Sequence, residues 1–527
     1  MKFTVWAPRA GFVELVLGTR RVPMVATTGG WFGVDVETGD VDAGDVETGG
    51  DGTSGGGDAG AGTDYAFSLD GGPLRPDPRS PRQPDGVDGA SRVVDHTSFR
   101  WADETWRGLH LPSAVLYELH VGTFSAEGTF DGAISRLDHL VELGIDAVEL
   151  LPVAAFPGRH GWGYDGVDLY AVHEPYGGPE GLKRFVDACH TKGLGVLVDV
   201  VYNHLGPAGN YLGEFGPYFT DRYVTPWGDA VNFDDAGSDE VRAFVVGNAL
   251  SWLRDYHVDG LRLDAVHAIV DTSATHVLEE LAVAVEALST KVGRPLWVIA
   301  ESDLNDPRLV RSREAGGYGL HAQWSDDFHH ALHVALTGER TGYYEDFEEA
   351  DLATAQRDVY VYAGRHSVSR GRRHGRPVGA LPRSRFVVYA QNHDQIGNRA
   401  RGERLCHLVP PDKVTRAAEL VLTSPFVPML FQGEEWGATS PFQYFTDHHD
   451  PVLGAAVSEG RRREFAAFGW APADVPDPQD PATFERSKLD WTELGREPHA
   501  GILARHRELI ARRRSSRGAG VRRSPSR

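Results

Sequence analysis

The chain has little that would serve cross-linking, membrane insertion or nucleic-acid binding. Among 527 residues there are two cysteines, Cys189 and Cys406. They supply neither a disulfide framework nor a zinc-ligand pattern, so no metal centre is expected and a reducing cytoplasm fits. No apolar run approaches the ~20 residues needed to cross a bilayer, and "SPFVPMLF" falls far short. The opening "MKFTVWAPRAGF" carries Pro8 and no apolar stretch of signal-peptide length, so no secretion signal is read. Positive charge is scarce. Lys and Arg total 53 against 75 Asp and Glu, a formal charge of −22. That argues against general nucleic-acid binding, which wants a basic footprint. No glycine-rich phosphate loop follows any strand-like run, and no cofactor is expected.

What is present is a soluble globular composition, 41% hydrophobic and 24% charged, long enough for two or three domains. Aromatics make up 10%, with 12 tryptophans. Rings suit the flat faces of sugars, although core packing uses them as well. Residues 1–36 alternate apolar and polar in short runs ("FTVWAP", "FVELVLG", "WFGVDVE") and predict an antiparallel β-sandwich. Residues 38–64 are glycine-rich and acidic and predict a flexible loop. Residues 73–95 are proline-rich and predict a tether across a domain boundary at 95.

From about residue 113 the rhythm changes. Apolar β-branched runs recur at 115–121, 147–153, 195–204, 260–266, 296–302, 319–324, 385–394 and 427–436. Helical patterns lie between them, at 131–143, 178–192, 238–256 and 273–290. Eight strands alternating with helices predict an α/β fold, a (β/α)₈ TIM barrel over 96–513. A doubly wound sheet is the competing reading, disfavoured by the missing phosphate loop. Long loops at 154–177, 205–237 and 351–384 follow strands and would rim the mouth of a barrel.

Polar residues interrupt these apolar strands. In "GLRLDAVH", residues 260–267, Arg262 and Asp264 share one strand face. The arginine would hold Asp264 ionised, and by itself the pair reads as a structural ion pair. Three further strands end in polar groups: Asp199, Asn203 and His204 in "DVVYNH", Glu301 in "VIAESD", and Asn392, His393 and Asp394 in "AQNHDQIGN". Charged groups at the C-terminal ends of barrel strands point to catalysis. One carboxylate paired with a cation and another without one is the arrangement glycoside hydrolysis needs. A zinc site built from His204, His393, Asp394 and Glu301 is the rival use, but none stands at the usual helical spacing.

These four stretches, in order, resemble the signature regions of the α-amylase family of glycoside hydrolases. The resemblance implies a retaining mechanism, with Asp264 as nucleophile, Glu301 as general acid/base and Asp394 as the carboxylate that holds sugar hydroxyls at the transition state. It implies positioning of nucleophile and sugar by Arg262, His204 and His393, with Asp199 beside them. "YELHVGTFSAEGTF", "NHLGPAGNYLGEFGPYFT", "MLFQGEEWGATSPFQYFTDH" and "VPDPQDPATFERSKLDW" narrow the likeness to the trehalose-releasing branch of that family. That branch implies cleavage of the α-1,4 bond beside a terminal trehalose, and a partner that makes the substrate, maltooligosyltrehalose synthase. Trp162 and Tyr164 in "GWGYDGVD" are candidate sugar platforms, with loop packing the equal alternative. His267 is a candidate contact beyond the cut bond, as is the polar stretch "FTDHHD" at 445–450. Asn203 matches a calcium ligand of some amylases; without a further acidic cluster it is read as a hydrogen-bonding loop residue. A branching enzyme and a non-catalytic glucan-binding protein are the alternatives. The usual C-terminal β-domain is not read in this sequence, and 514–527, arginine-rich, is expected to be a disordered tail.

Overall fold

The computed structural model describes residues 1–36, 60–466 and 470–521. The first unit is built from two small antiparallel sheets. One joins Lys2–Trp6, Trp31–Asp35 and Val25–Ala26; the other joins Arg20–Pro23, Val13–Leu17, Asp64–Leu69 and Leu74–Arg75. Alternation sends Phe3, Val5, Val13, Leu15 and Phe67 inward, and all five are buried. Most of the acidic stretch 38–64 lies outside the described residues; a turn at 60–62 leads into the strand Asp64–Leu69.

The proline-rich segment 73–95 is not a loose tether. Leu74–Arg75 and Ser91–Arg92 both pair with the strand Asp64–Leu69, and Asp77, Ser80 and Gln83 are buried. Tyr65 donates to Asp77 at 2.8 Å. Arg82 grips Glu174 of the barrel with two hydrogen bonds, at 2.6 and 3.1 Å. Proline fixes an extended φ, which suits a strap laid across a surface as well as it suits a spacer.

The second unit is a closed barrel of eight parallel strands. In chain order they are Leu116–Leu119, Ala147–Leu150, Gly195–Val200, Gly260–Leu263, Trp297–Ala300, Ala322–Trp324, Phe386–Val388 and Val427–Phe431. All eight fall inside the runs read from the sequence. The register puts Leu116, Ala147, Leu197, Gly260, Ile299, Ala322, Val387 and Val427 on one face. That face looks into the barrel, where most of these residues form one buried apolar cluster with Trp324, Tyr389 and Met429. Gly260 leaves the space there that its neighbours need: a Cβ would lie 2.6 Å from the Trp297 carbonyl and 2.8 Å from Leu197.

The last helix, His499–Val521, runs through the first part of the stretch 514–527, where a disordered tail is expected. Two of its arginines tie it to the barrel. Arg513 is buried and donates to the carbonyls of Leu422 and Ser424, and Arg514 meets Asp146 at 2.6 Å. Residues 522–527 lie outside the described part. Among the described residues no helix is long and apolar enough to cross a membrane.

Candidate active site

Two residues further along each of the first five strands, the inward face changes character. Leu116 gives way to Glu118, Ala147 to Glu149, Leu197 to Asp199, Gly260 to Arg262 and Ile299 to Glu301. Period-two alternation carries all five onto the same interior face, one step nearer the C-terminal mouth. A plug of apolar side chains therefore lies beneath a ring of charge.

Arg262 sits at the centre of that ring and is 2% exposed. Its Nη1 donates to Asp199 at 3.0 and 2.8 Å and to Asp264 Oδ1 at 2.8 Å. Its Nη2 lies 3.7 Å from Glu301 Oε2. The guanidinium also rests 4.3 Å over the Trp324 ring. One arginine thus serves three carboxyls, and the pairing read within the sequence strand is real but shared. Burial pushes the Asp199 carboxyl up to about 6, against the pull of Arg262.

Glu301 differs from Asp264 in its surroundings. Burial drives its carboxyl well above the usual range; Arg262 opposes this, and the charge of Asp264 adds to it. The Ala265 amide donates to Glu301 Oε2 at 2.5 Å. Ala265 holds φ +39°, a left-handed conformation uncommon outside glycine, at the turn directly after Asp264. That turn links the two carboxyls through the backbone.

Asn203 donates to both the carbonyl and Oδ2 of Asp264, at 2.9 and 2.7 Å. Its role as a loop residue is corrected: it orients the carboxylate opposite Glu301. His204 meets Asn203 Oδ1 through Nδ1 at 2.5 Å and the Tyr164 carbonyl through Nε2 at 3.0 Å. The Trp227 ring stacks on His204 at 4.3 Å. The Tyr164 hydroxyl donates to Asp199 at 2.6 Å and lies 2.8 Å from His393 Nε2.

His393 Nδ1 faces Glu118 at 2.5 Å, and its amide donates to the same carboxylate at 3.0 Å. Burial would lower His393, but the charge and hydrogen bond of Glu118 outweigh it and raise the imidazole above its ordinary value. Glu149 is buried, and burial with the nearby Glu118 charge pushes its carboxyl well above the usual range.

Other residues singled out in the sequence have structural duties. Asn392 is buried and caps the short helix His393–Gly397, accepting from the amides of Asp394 and Gln395 at 2.9 and 3.1 Å. It positions its neighbours instead of facing sugar. The cap leaves Asp394 exposed at the mouth, where Asn398 donates to it at 2.6 Å. Trp162 is 6% exposed, lies near-parallel to Phe442 at 5.3 Å and donates to the Gln443 carbonyl. It packs the loop and is no open platform; Tyr164 remains half-buried at the site. His267 is exposed, with Nε2 3.9 Å from Asp303. In the stretch 445–450, Asp447 accepts from the Arg159 amide, and Gln479 accepts from Thr446 and the His448 amide.

Reading the sequence missed Glu118 and Glu149. Each is a lone acid in an apolar strand, the same signal that singled out Arg262.

The barrel and the charged ring at its mouth define a glycoside hydrolase of the α-amylase type. The family described as "Alpha amylase, catalytic domain" matches residues 90–217. The chain is 55% identical over 518 residues to the malto-oligosyltrehalose trehalohydrolase of Arthrobacter ramosus, covering 97% of this chain and 87% of that protein. It is 50% identical over 519 residues to the malto-oligosyltrehalose trehalohydrolase of Mycobacterium tuberculosis, covering 97% and 86%. A solved structure described as a putative alpha amylase from Salmonella typhimurium shares 41% identity at a TM-score of 0.88, over 97% and 84% of the two chains. A 1,4-alpha-glucan branching enzyme from Bacillus caldolyticus is more distant, 34% identical over 265 residues. The chain belongs to the malto-oligosyltrehalose trehalohydrolase family.

Proposed function

We propose that this chain hydrolyses the α-1,4-glucosidic bond next to the terminal trehalose of a maltooligosyltrehalose, releasing trehalose and a maltooligosaccharide. The carrying observation is that one buried guanidinium, Arg262, touches Asp264 at 2.8 Å, while Glu301 stands 3.7 Å from it with burial pushing its carboxyl well above the usual range. Two carboxyls in opposite protonation states are what a retaining glycosidase requires. Glu301 gives its proton to the glycosidic oxygen and trehalose leaves. Asp264, paired with Arg262 and oriented by Asn203, bonds to the sugar C1. Water then attacks that carbon, Glu301 takes a proton from it, and Asp264 is released. Asp394 at the rim accepts from sugar hydroxyls, and Tyr164 with His393 and His204 borders the ring before the cut. No metal takes part in this scheme.

The trehalose specificity rests on the relatives' names and the near-complete coverage. The two unpaired thiols support a cytoplasmic setting, and the substrate's chemistry implies a synthase that builds trehalose ends onto maltooligosaccharides as the pathway partner.

Chromatography of products tests the reading, with maltotriosyltrehalose and maltopentaose offered separately and Asp264→Asn as blank. Trehalose plus maltotriose from the first, with little cleavage of the second, supports it. Equal cleavage of both would make the chain a general amylase. Chain transfer without sugar release would make it a branching enzyme.

A further inference from the structure

A carboxyl outside the four signature stretches lies on the same interior face, one step above the charged ring. The sixth strand, Ala322–Trp324, sends Ala322 and Trp324 into the barrel. Trp324 is fixed there beneath the Arg262 guanidinium. Ser325 is extended, with φ −120° and ψ 92°, so the next residue, Asp326, returns to the inward side. It stands between the strand that ends at Glu301 and the strand that leads to Asp394.

Asp326 opens the helix Asp326–Thr337 together with Asp327. The two acids do different things. Asp327 is buried, and its Oδ2 accepts from Asn305 at 2.9 Å and from the amides of Val361 and Tyr362 at 2.6 and 2.8 Å. It ties the loop 359–362 to the helix, a structural duty. Asp326 is half-buried, and the Tyr389 hydroxyl, on the chain after the seventh strand, donates to its Oδ1. That hydroxyl holds the carboxyl beside the site.

We infer that Asp326 is a positioning residue for the reaction, a fourth carboxyl whose charge acts on Glu301 and keeps the acid in its proton-carrying form at the start of each cycle. The inference rests on the role proposed above for Glu301. Three charged groups act on Glu301 besides burial: Arg262 favours its charged form, while Asp264 and Asp326 disfavour it. The Ala265 amide also favours the charged form. Asp326 in turn is faced by Tyr389 from the seventh strand, Asp394 from the short helix, Asp303 from the loop after the fifth strand and Asp327 from its own helix. Tyr343 and Tyr360 also feel its charge. Burial pushes Asp326 up to about 7, with Tyr389 opposing and Asp394 adding to the rise.

The consequence is a self-adjusting acid. Below neutrality Asp326 is neutral and Glu301 keeps its proton unaided. As pH rises through 7 Asp326 ionises, and its new charge resists loss of the Glu301 proton. Asp326 would thus extend the alkaline limit of activity without touching the nucleophile.

The test is the pH dependence of kcat/KM on maltotriosyltrehalose for wild type, Asp326→Asn and Asp326→Glu, from pH 5 to pH 9. Asn copies the neutral form and cannot ionise. The ratio of variant to wild-type kcat/KM is expected to fall about tenfold between pH 5.5 and pH 8.5, the effect of moving one carboxyl by about one unit. The acid limb should not move, and Asp326→Glu should restore the alkaline limb. A pH-independent ratio would overturn the inference and make Asp326 a helix-end or sugar-contacting residue. If Asp326→Asn fails to fold, Asp326→Ser carries the same comparison. Wild-type turnover is the control: its absence counts against the proposed function, whereas intact turnover with an unshifted alkaline limb counts against Asp326 alone.

Discussion

Asp199 offers a direct measure of what the charged ring costs the fold. Its carboxyl is 4% exposed and is pushed from 3.8 up to about 6 despite two contacts from Arg262. A carboxyl whose folded value is raised binds its proton more tightly in the native state. Its charge therefore destabilises the fold as pH climbs from about 4 to about 6, and the loss is complete above that range. The size follows from about 1.4 kcal/mol per tenfold change in proton affinity, giving about 3 kcal/mol at neutral pH. Asp199→Asn presents the neutral shape at every pH and should recover that amount at pH 7.5 and none at pH 4. For a chain of this size, 3 kcal/mol corresponds to a thermal midpoint about 3 °C higher. Scanning calorimetry of both proteins from pH 4 to pH 8 would show the gap opening through pH 4 to 6. Activity should fall in the same variant, because Asp199 helps hold Arg262 against Asp264. A variant that melts below wild type by a constant margin at all pH values would refute the reasoning. It would mean that the Arg262–Asp199 pair stabilises the barrel on balance.

Three further outcomes are expected. Glu301→Gln should lose about 10²- to 10⁴-fold in kcat on the natural substrate, the range for a general acid. On an α-maltosyl fluoride, whose leaving group needs no proton, far less should be lost; equal losses on both would deny Glu301 the acid role. Asn203→Ala removes a 2.7 Å donor from Asp264 and should lower kcat about 10- to 100-fold, the worth of a hydrogen bond to a charged group, with KM little changed; unaltered kcat would return Asn203 to the loop. Trp162→Ala should destabilise by about 3–5 kcal/mol, as a large buried ring does, measured by thermal unfolding; a raised KM with unchanged stability would instead make it a sugar platform.

Much of the site was legible because barrel strands alternate strictly. A polar residue inside an apolar strand is costly to bury without a partner, so Arg262, Asp264 and Glu301 stood out against their neighbours. Glu118 and Glu149 carried the same mark. Asp326 was harder to see, since "SDDF" reads as an ordinary helix start. Trp162, left open between sugar platform and loop packing, and Asn392, read as facing substrate, were harder to place for a different reason. Whether a ring faces sugar or Phe442, and whether an amide caps a helix or meets a ligand, depends on residues distant in the chain. The packing of the strap 73–95 was not legible, because proline marks extended backbone without saying whether that backbone is packed.

The sequence by itself determined the barrel, its eight strands and the inward face of each, because periodicity and turn chemistry are local. It also marked Arg262, Asp264, Glu301 and Asp394 as residues of the mouth. Tertiary structure alone decided how charge is shared there. One guanidinium reaches Asp264 on its own strand and Asp199 and Glu301 from the strands on either side, and burial, a property of the closed barrel and its loops, pushes the Glu301 carboxyl well up while Asp264 stays paired with Arg262. That separation is what turns a row of acids into an acid and a nucleophile.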